Sequence, residues 1–264
     1  MTSRPVRLLV ANGCSYTRGA ELGRAEDAWP ALVADALGIP WVNLGCDGGS
    51  NRRVVRTTVA NLDRLAAQHH VRVEDVLVIC MWTGLSRHEC FTRPRDKGHG
   101  FRPALPDELH WHRLSRWRIQ IKDRLSEAYY RHLWSERGAL TNFALDWLML
   151  DGYLRSRGAC ARYVFAWDVL RFDPDDQSRA LLASLDPTAV YGGTATNSRT
   201  SFNGETTGRF PTGDMQHPLE EGHSAFGASM TRWLRTQGID TAVPPAAPST
   251  GRTASVGREG SAAG

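Results

Sequence analysis

No run of apolar residues in this chain approaches the length, about 20, that a helix needs to cross a bilayer. The N-terminal stretch also lacks the long apolar core of a secretion signal. The expectation is therefore a cytoplasmic protein with no membrane partner. Cys-x-x-Cys is absent too. The five cysteines, Cys14, Cys46, Cys80, Cys90 and Cys160, are odd in number, and two of them lie in or beside apolar runs. Buried reduced thiols fit this better than a disulfide framework or a zinc site. Nor is there a strong excess of one charge, with 32 basic residues against 28 acidic ones and a net charge of +4. The basic residues are mostly dispersed arginines, so a nucleic-acid partner is not expected. No internal repeat is visible.

A chain of 264 residues, 41% hydrophobic and 23% charged, has enough apolar material for one full-sized core. Strand-like runs occur at Val6–Ala11, Trp41–Leu44, Val76–Met81 and Ala161–Trp167. Ala28–Leu37 lies between the first two and stops at Gly38-Ile39-Pro40, a helix-ending signal. Asn51–His69 lies between the second and third, with Val54, Val55, Val59, Leu62 and Leu65 at helical spacing. Alternating strands and helices predict an α/β fold: a three-layer α/β/α sandwich around a central parallel sheet. The core is expected over 1–241, with a helical insertion at about 88–157 and a disordered Pro/Ala/Ser/Gly tail over 242–264. Within the insertion, His88–Pro106 reads as loop and Leu114–Arg157 as largely helical. Its aromatics, among them Trp111, Trp117, Tyr130 and Trp134, serve as wall packing or as a lid. Asp168–Gly213 reads as a long polar loop bordering a site, and Glu220–Gln237 as the last helix.

Ligands of parallel sheets gather at the carboxyl ends of the strands. Ser15, Gly48 and Thr83 follow the first three strands, so all three fall on one rim. Far along the chain, Asp214-Met215-Gln216-His217-Pro218 sets a carboxylate and an imidazole three residues apart. A serine hydroxyl becomes a nucleophile when a base takes its proton, and the base works best when a carboxylate fixes its tautomer. Ser15, His217 and Asp214 have the right chemistry for those roles. Each segment alone has a plainer use: Ser15 as a helix cap, Gly48-Gly49 as a tight turn, and Asp-x-x-His as a hydrogen-bonded turn. Their order along the chain and their strand-end positions favour catalysis. His223 is the rival base, with packing near a helix start as its plainer role.

Gly13-Cys14-Ser15, Asn43–Asn51, Val76–Gly84 and Asp214-x-x-His217-Pro218 together resemble the four blocks of the SGNH/GDSL hydrolases. The resemblance implies a flavodoxin-like fold, a serine esterase chemistry with catalytic Ser15, Asp214 and His217, and no cofactor or metal. It also implies an oxyanion hole built from Ser15, Gly48 and a side-chain donor. The third block, Met81-Trp82-Thr83-Gly84, lacks the family's asparagine; Thr83 or Asn51 is the expected replacement. Arg87, Glu89 and Trp82 are expected to contact substrate, and Arg87, Glu89 and Arg52 either shape a polar or anionic pocket or form a surface ion-pair set. The expected function is hydrolysis of an ester of a small polar molecule through an acyl-serine. The alternatives are acyl transfer through the same intermediate or a binding module on a hydrolase scaffold. A metal site of Asp214, His217 and His223 with His110 or His112 is a further, unspecific pattern.

Overall fold

The computed structural model describes residues 5–92, 110–167, 176–193 and 200–239. The expected tail and part of the expected loops lie outside them. Strands β1 (Leu8–Asn12), β2 (Trp41–Asn43), β3 (Val76–Trp82) and β6 (Cys160–Phe165) form one parallel sheet in the order β2-β1-β3-β6. An isolated parallel bridge from Tyr163 to Val190 continues the sheet beyond β6.

Side chains alternate across a strand, and the two faces are covered by different helices. Leu8, Val10, Val76, Val78, Trp82, Tyr163 and Phe165 pack with helices α3 (Asn51–Gln68) and α6 (Glu136–Ser156). Leu9, Ala11, Leu77, Ile79, Met81 and Val164 face α2 (Trp29–Leu37) and α9 (Glu220–Thr236). The molecule is a three-layer α/β/α sandwich. Because α6 covers one sheet face and leads into β6, it serves as a crossover helix of the core. None of the described helices is long and apolar enough to cross a membrane.

Two expected loops contain structure. Residues 88–91 form β4 (His88–Phe91), paired antiparallel with β5 (Trp111–Leu114). Their pairing is accompanied by a buried ion pair rather than by alternating hydrophobic residues: Arg56 Nε and Nη2 donate to Glu89 at 2.9 and 3.1 Å. Short helices α4 (Arg116–Gln120) and α5 (Arg124–His132) follow. Further on, α7 (Asp176–Ala183) and α8 (Phe202–Thr206) occupy part of the stretch read as a polar loop.

Candidate active site

The rim begins with Asn12, the last residue of β1. Its Nδ2 donates to Val54 O, Thr57 Oγ1 and Thr58 Oγ1 at 3.1, 2.8 and 2.9 Å, and its Oδ1 accepts the Gly13 amide at 2.8 Å. That anchor ties the strand end to α3 and starts a sharp turn. A Cβ on Gly13 would lie 2.1 Å from Thr17 Oγ1 and 3.0 Å from Met81, so the turn requires glycine. Ser15 is then the first residue of a single helical turn, α1 (Ser15–Arg18). Cys14, not Ser15, holds the cap position. Ser15 is buried, yet its hydroxyl makes no hydrogen bond among the described residues. It does not act as the helix cap.

The loop after β2 docks directly on this turn. Leu44 N donates to Ala11 O at 2.8 Å, Cys46 N to Gly13 O at 3.2 Å, and Asn43 Nδ2 to Thr17 O at 2.6 Å. Arg18 Nε reaches Asp47 Oδ1 at 2.7 Å. Gly49 lies where a Cβ would meet Gly13 O at 2.9 Å, so the two loops touch backbone to backbone. Gly48 has open space around it but a φ of +66°, so glycine is needed there for backbone shape. Among the described residues neither the Ser15 nor the Gly48 amide donates a hydrogen bond.

Asn51 is tied to the Thr83 backbone. Asn51 Nδ2 donates to Thr83 O at 3.0 Å, and Thr83 N donates to Asn51 Oδ1 at 2.7 Å. This two-way clamp joins the end of β3 to the start of α3. The Thr83 hydroxyl accepts from Arg87 Nη1 at 3.0 Å. Both residues therefore brace the rim.

The imidazole arrives on the turn at residues 213–216, closed by Gln216 N donating to Gly213 O at 3.0 Å. Its carboxylate partner is Glu21, a residue the sequence did not single out. Glu21 Oε2 lies 2.9 Å from His217 Nδ1 and accepts the His217 amide at 3.1 Å, while Oε1 accepts the Met215 amide at 2.9 Å. The Met215 amide, with the His217 ring and amide, holds the Glu21 carboxyl below the usual carboxylate range. A Cβ on Gly213 would sit 2.6 Å from that carboxylate, so glycine makes the approach possible. Glu21 and Gln216 both have left-handed backbones, φ 69° and 63°, an uncommon state for residues with side chains. Asp214, expected on the ring, is exposed and makes no hydrogen bond or ion pair among the described residues. It is the second residue of the turn, and the imidazole Nδ1 is met by Glu21 instead.

A neutral His217 ring with its proton on Nδ1 toward Glu21 would carry its lone pair on Nε2. Tyr16, next to Ser15, meets this ring edge to face at a centroid distance of 5.5 Å. Tyr16 also packs against Phe202 and Trp167, each at 4.8 Å, and its hydroxyl donates to Asn203 Oδ1 at 3.2 Å. Burial pushes the Tyr16 phenol up to about 12, so it stays protonated and can donate.

Other expected site residues have different surroundings. Trp82 is wholly buried, stacked on Tyr163 at 5.8 Å and flanked by Phe143 and Trp147; it belongs to the core. Glu89 is consumed by Arg56, and Arg52 pairs with Asp146 at 3.0 Å. His223 is buried in α9, where its Nδ1 accepts the Trp29 amide at 3.1 Å. Burial, with His217 nearby, lowers its pKa to about 4, so it remains neutral. His112 bonds Asp123 at 2.9 Å, in a buried knot with Arg118 and Ser126. Among the described residues no three His, Cys, Asp or Glu side chains gather in a way that would hold a metal. Arg87 alone of the expected substrate contacts stands on the rim with Tyr16.

The chain is similar to several solved structures. One is a member of the lipolytic G-D-S-L family from Veillonella parvula, 13% identical with a TM-score of 0.42, covering 86% of this chain and 97% of that one. Another is the psychrotrophic esterase EstA from Pseudoalteromonas sp., 11% identical at a TM-score of 0.45, covering 89% and 100%. A third, 11% identical at a TM-score of 0.45 and covering 90% and 69%, is a carbohydrate esterase family 2 enzyme from Corynascus thermopiles. No curated protein sequence matches. A sequence-family model described as a family of unknown function, DUF6071, matches residues 11–249, a span that holds Ser15, Glu21 and His217 alike, and the chain belongs to that family.

Proposed function

We propose that this protein is a serine esterase acting on a small acylated molecule, with Ser15 as nucleophile, His217 as base and Glu21 as the orienting carboxylate. The observation that carries the proposal is the Glu21–His217 pair. It engages the imidazole at Nδ1, leaves Nε2 without a hydrogen bond among the described residues, and stands beside Tyr16, the residue next to a serine whose hydroxyl makes none there.

In the first step His217 Nε2 takes the Ser15 proton while Oγ bonds to the acyl carbon and the carbonyl electrons move onto oxygen. The Ser15 and Gly48 amides, lacking other acceptors, supply donors for that oxyanion. Glu21 stays ionised and stabilises the imidazolium. Collapse of the intermediate breaks the ester C–O bond, and the departing alcohol takes the proton from Nε2. Water then repeats the sequence on the acyl-serine, releasing the acid and restoring Ser15.

A fluorophosphonate probe tests the proposal directly. Intact protein should gain one adduct, mapped to Ser15 by peptide mass, and Ser15→Ala should lose the adduct. The same variant should lose hydrolysis of activated acetyl esters by about 10⁴-fold or more. Folded protein that takes no label at Ser15, with turnover indifferent to Ser15→Ala, overturns it.

A further inference from the structure

We infer that Arg87 is an anion-recognition residue, and that the natural substrate carries a carboxylate or phosphate within a few bonds of its ester. The inference deepens the esterase reading and rests on it for the word ester.

Arg87 lies in the turn just beyond β3, closed by its own amide donating to Gly84 O at 3.1 Å. The side chain is half-buried and held in two ways. Nη1 donates to Thr83 Oγ1 at 3.0 Å, and the guanidinium carbon lies 4.8 Å from the centre of the Trp167 ring. Trp167 packs on Tyr16, and Tyr16 on His217. An unbroken series of ring contacts thus runs from the guanidinium to the imidazole.

The fixed position contrasts with a missing partner. Three other buried or half-buried arginines meet carboxylates: Arg56 with Glu89, Arg52 with Asp146, Arg118 with Asp123. No carboxylate pairs with Arg87 among the described residues, and its Nε and Nη2 donate no hydrogen bond there. A planar guanidinium held on an indole and tied at one nitrogen presents its remaining edge in a set direction. That fork matches two oxygens of a carboxylate or phosphate. Thr83, clamped at its backbone by Asn51, keeps the fork at the rim. Hence the clamp between Asn51 and the Thr83 backbone also sets the anion site.

The test uses binding, so that it is independent of turnover. Full-length Ser15→Ala protein is titrated by calorimetry with benzoate, phenyl phosphate and neutral benzamide. The expected result is that benzoate, phenyl phosphate or both bind at least about ten-fold more tightly than benzamide, the gain of a charge-assisted pair. The preferred anion distinguishes carboxylate from phosphate chemistry. The preference should shrink with added salt and vanish in Arg87→Gln. Arg87→Lys, which keeps the charge but loses the fork, should retain only part of it. Should Arg87→Gln fail to fold, the Arg87→Lys and salt arms decide. Equal affinity for benzamide and both anions, or a preference untouched by substitution at Arg87, overturns the inference. Fluorophosphonate labelling of Ser15 in the wild-type protein reports separately on the esterase reading, so either can fail alone.

Discussion

Two clusters of charged groups differ in how their charges are met. Behind the β4–β5 hairpin, Arg56 and Glu89 form a two-pronged pair with Trp111 packed under the guanidinium at 4.2 Å. Asp146 takes Arg52 beside them. On the rim, by contrast, the Glu21–His217 pair leaves one ring nitrogen open, Ser15 leaves its hydroxyl open, and Arg87 leaves one edge open. Charges buried in proteins are normally paired, so the hairpin cluster is explained by folding alone. The rim groups are positioned by many contacts but not satisfied by them. Held geometry with spare hydrogen-bonding capacity is what a reacting substrate requires.

The largest expected effect breaks the rim. Glu21→Ala removes the acceptor of His217 Nδ1 and of two backbone amides at once. Ester turnover should fall about 10³- to 10⁴-fold, the scale known for loss of the orienting carboxylate in serine proteases. Glu21→Gln separates the two functions, because its amide oxygen can still accept the Met215 N–H while the charge is gone. It should keep the turn folded, as read by thermal unfolding, and still lose most of the activity. Full activity in both variants would remove Glu21 from the mechanism.

The second prediction sharpens the contrast through pH. Burial pushes the Asp146 carboxyl up to about 6, Glu89 adds to the rise, and Arg52 opposes it. Asp146 therefore binds its proton more tightly folded than unfolded. Its contribution is most favourable below the unfolded pKa near 4 and is lost as pH rises through 6. The span amounts to about 3 kcal/mol. Urea unfolding of Asp146→Asn should show a flatter profile from pH 4 to 7 than wild type. An unchanged slope would place the Asp146 titration elsewhere. The rim behaves oppositely: Glu21, held below the usual carboxylate range, gives up its proton more readily folded than unfolded.

The sheet was legible because β1, β3 and β6 carry runs of apolar residues that both faces need buried. The rim placement of Ser15 and Gly48 was legible because glycine-flanked turns and strand ends mark a parallel sheet's rim. Glu21 was not. It sits between Gly19 and Gly23, in no periodic pattern, and meets His217 across 196 positions of sequence. The left-handed turn at Glu21 and the bare Gly213 opposite accommodate that approach. Strand β4 was hidden for a related reason, since His88-Glu89-Cys90-Phe91 has no hydrophobic alternation and Glu89 is buried against an arginine from α3. Trp82 misled in the opposite direction: an aromatic beside a strand end reads as a pocket wall, but its ring lies inside a cluster of four other aromatics.

The smallest expected effect tests which carboxylate serves the imidazole. Asp214 sits one residue into the turn that carries His217, where sequence spacing alone would place the orienting group. Its side chain is in solvent, and Asp214→Asn keeps size and turn preference while removing the charge. Activity and thermal stability should both stay within about twofold and about 0.5 kcal/mol of wild type, as for other exposed positions without partners. The informative quantity is the difference from Glu21→Gln under identical conditions, since both substitutions neutralise one carboxylate near the same ring. A large loss in Glu21→Gln beside near-normal Asp214→Asn assigns the orienting role to the loop after α1. The reverse ordering would return it to Asp214 and require the turn at residues 213–216 to rearrange when substrate binds.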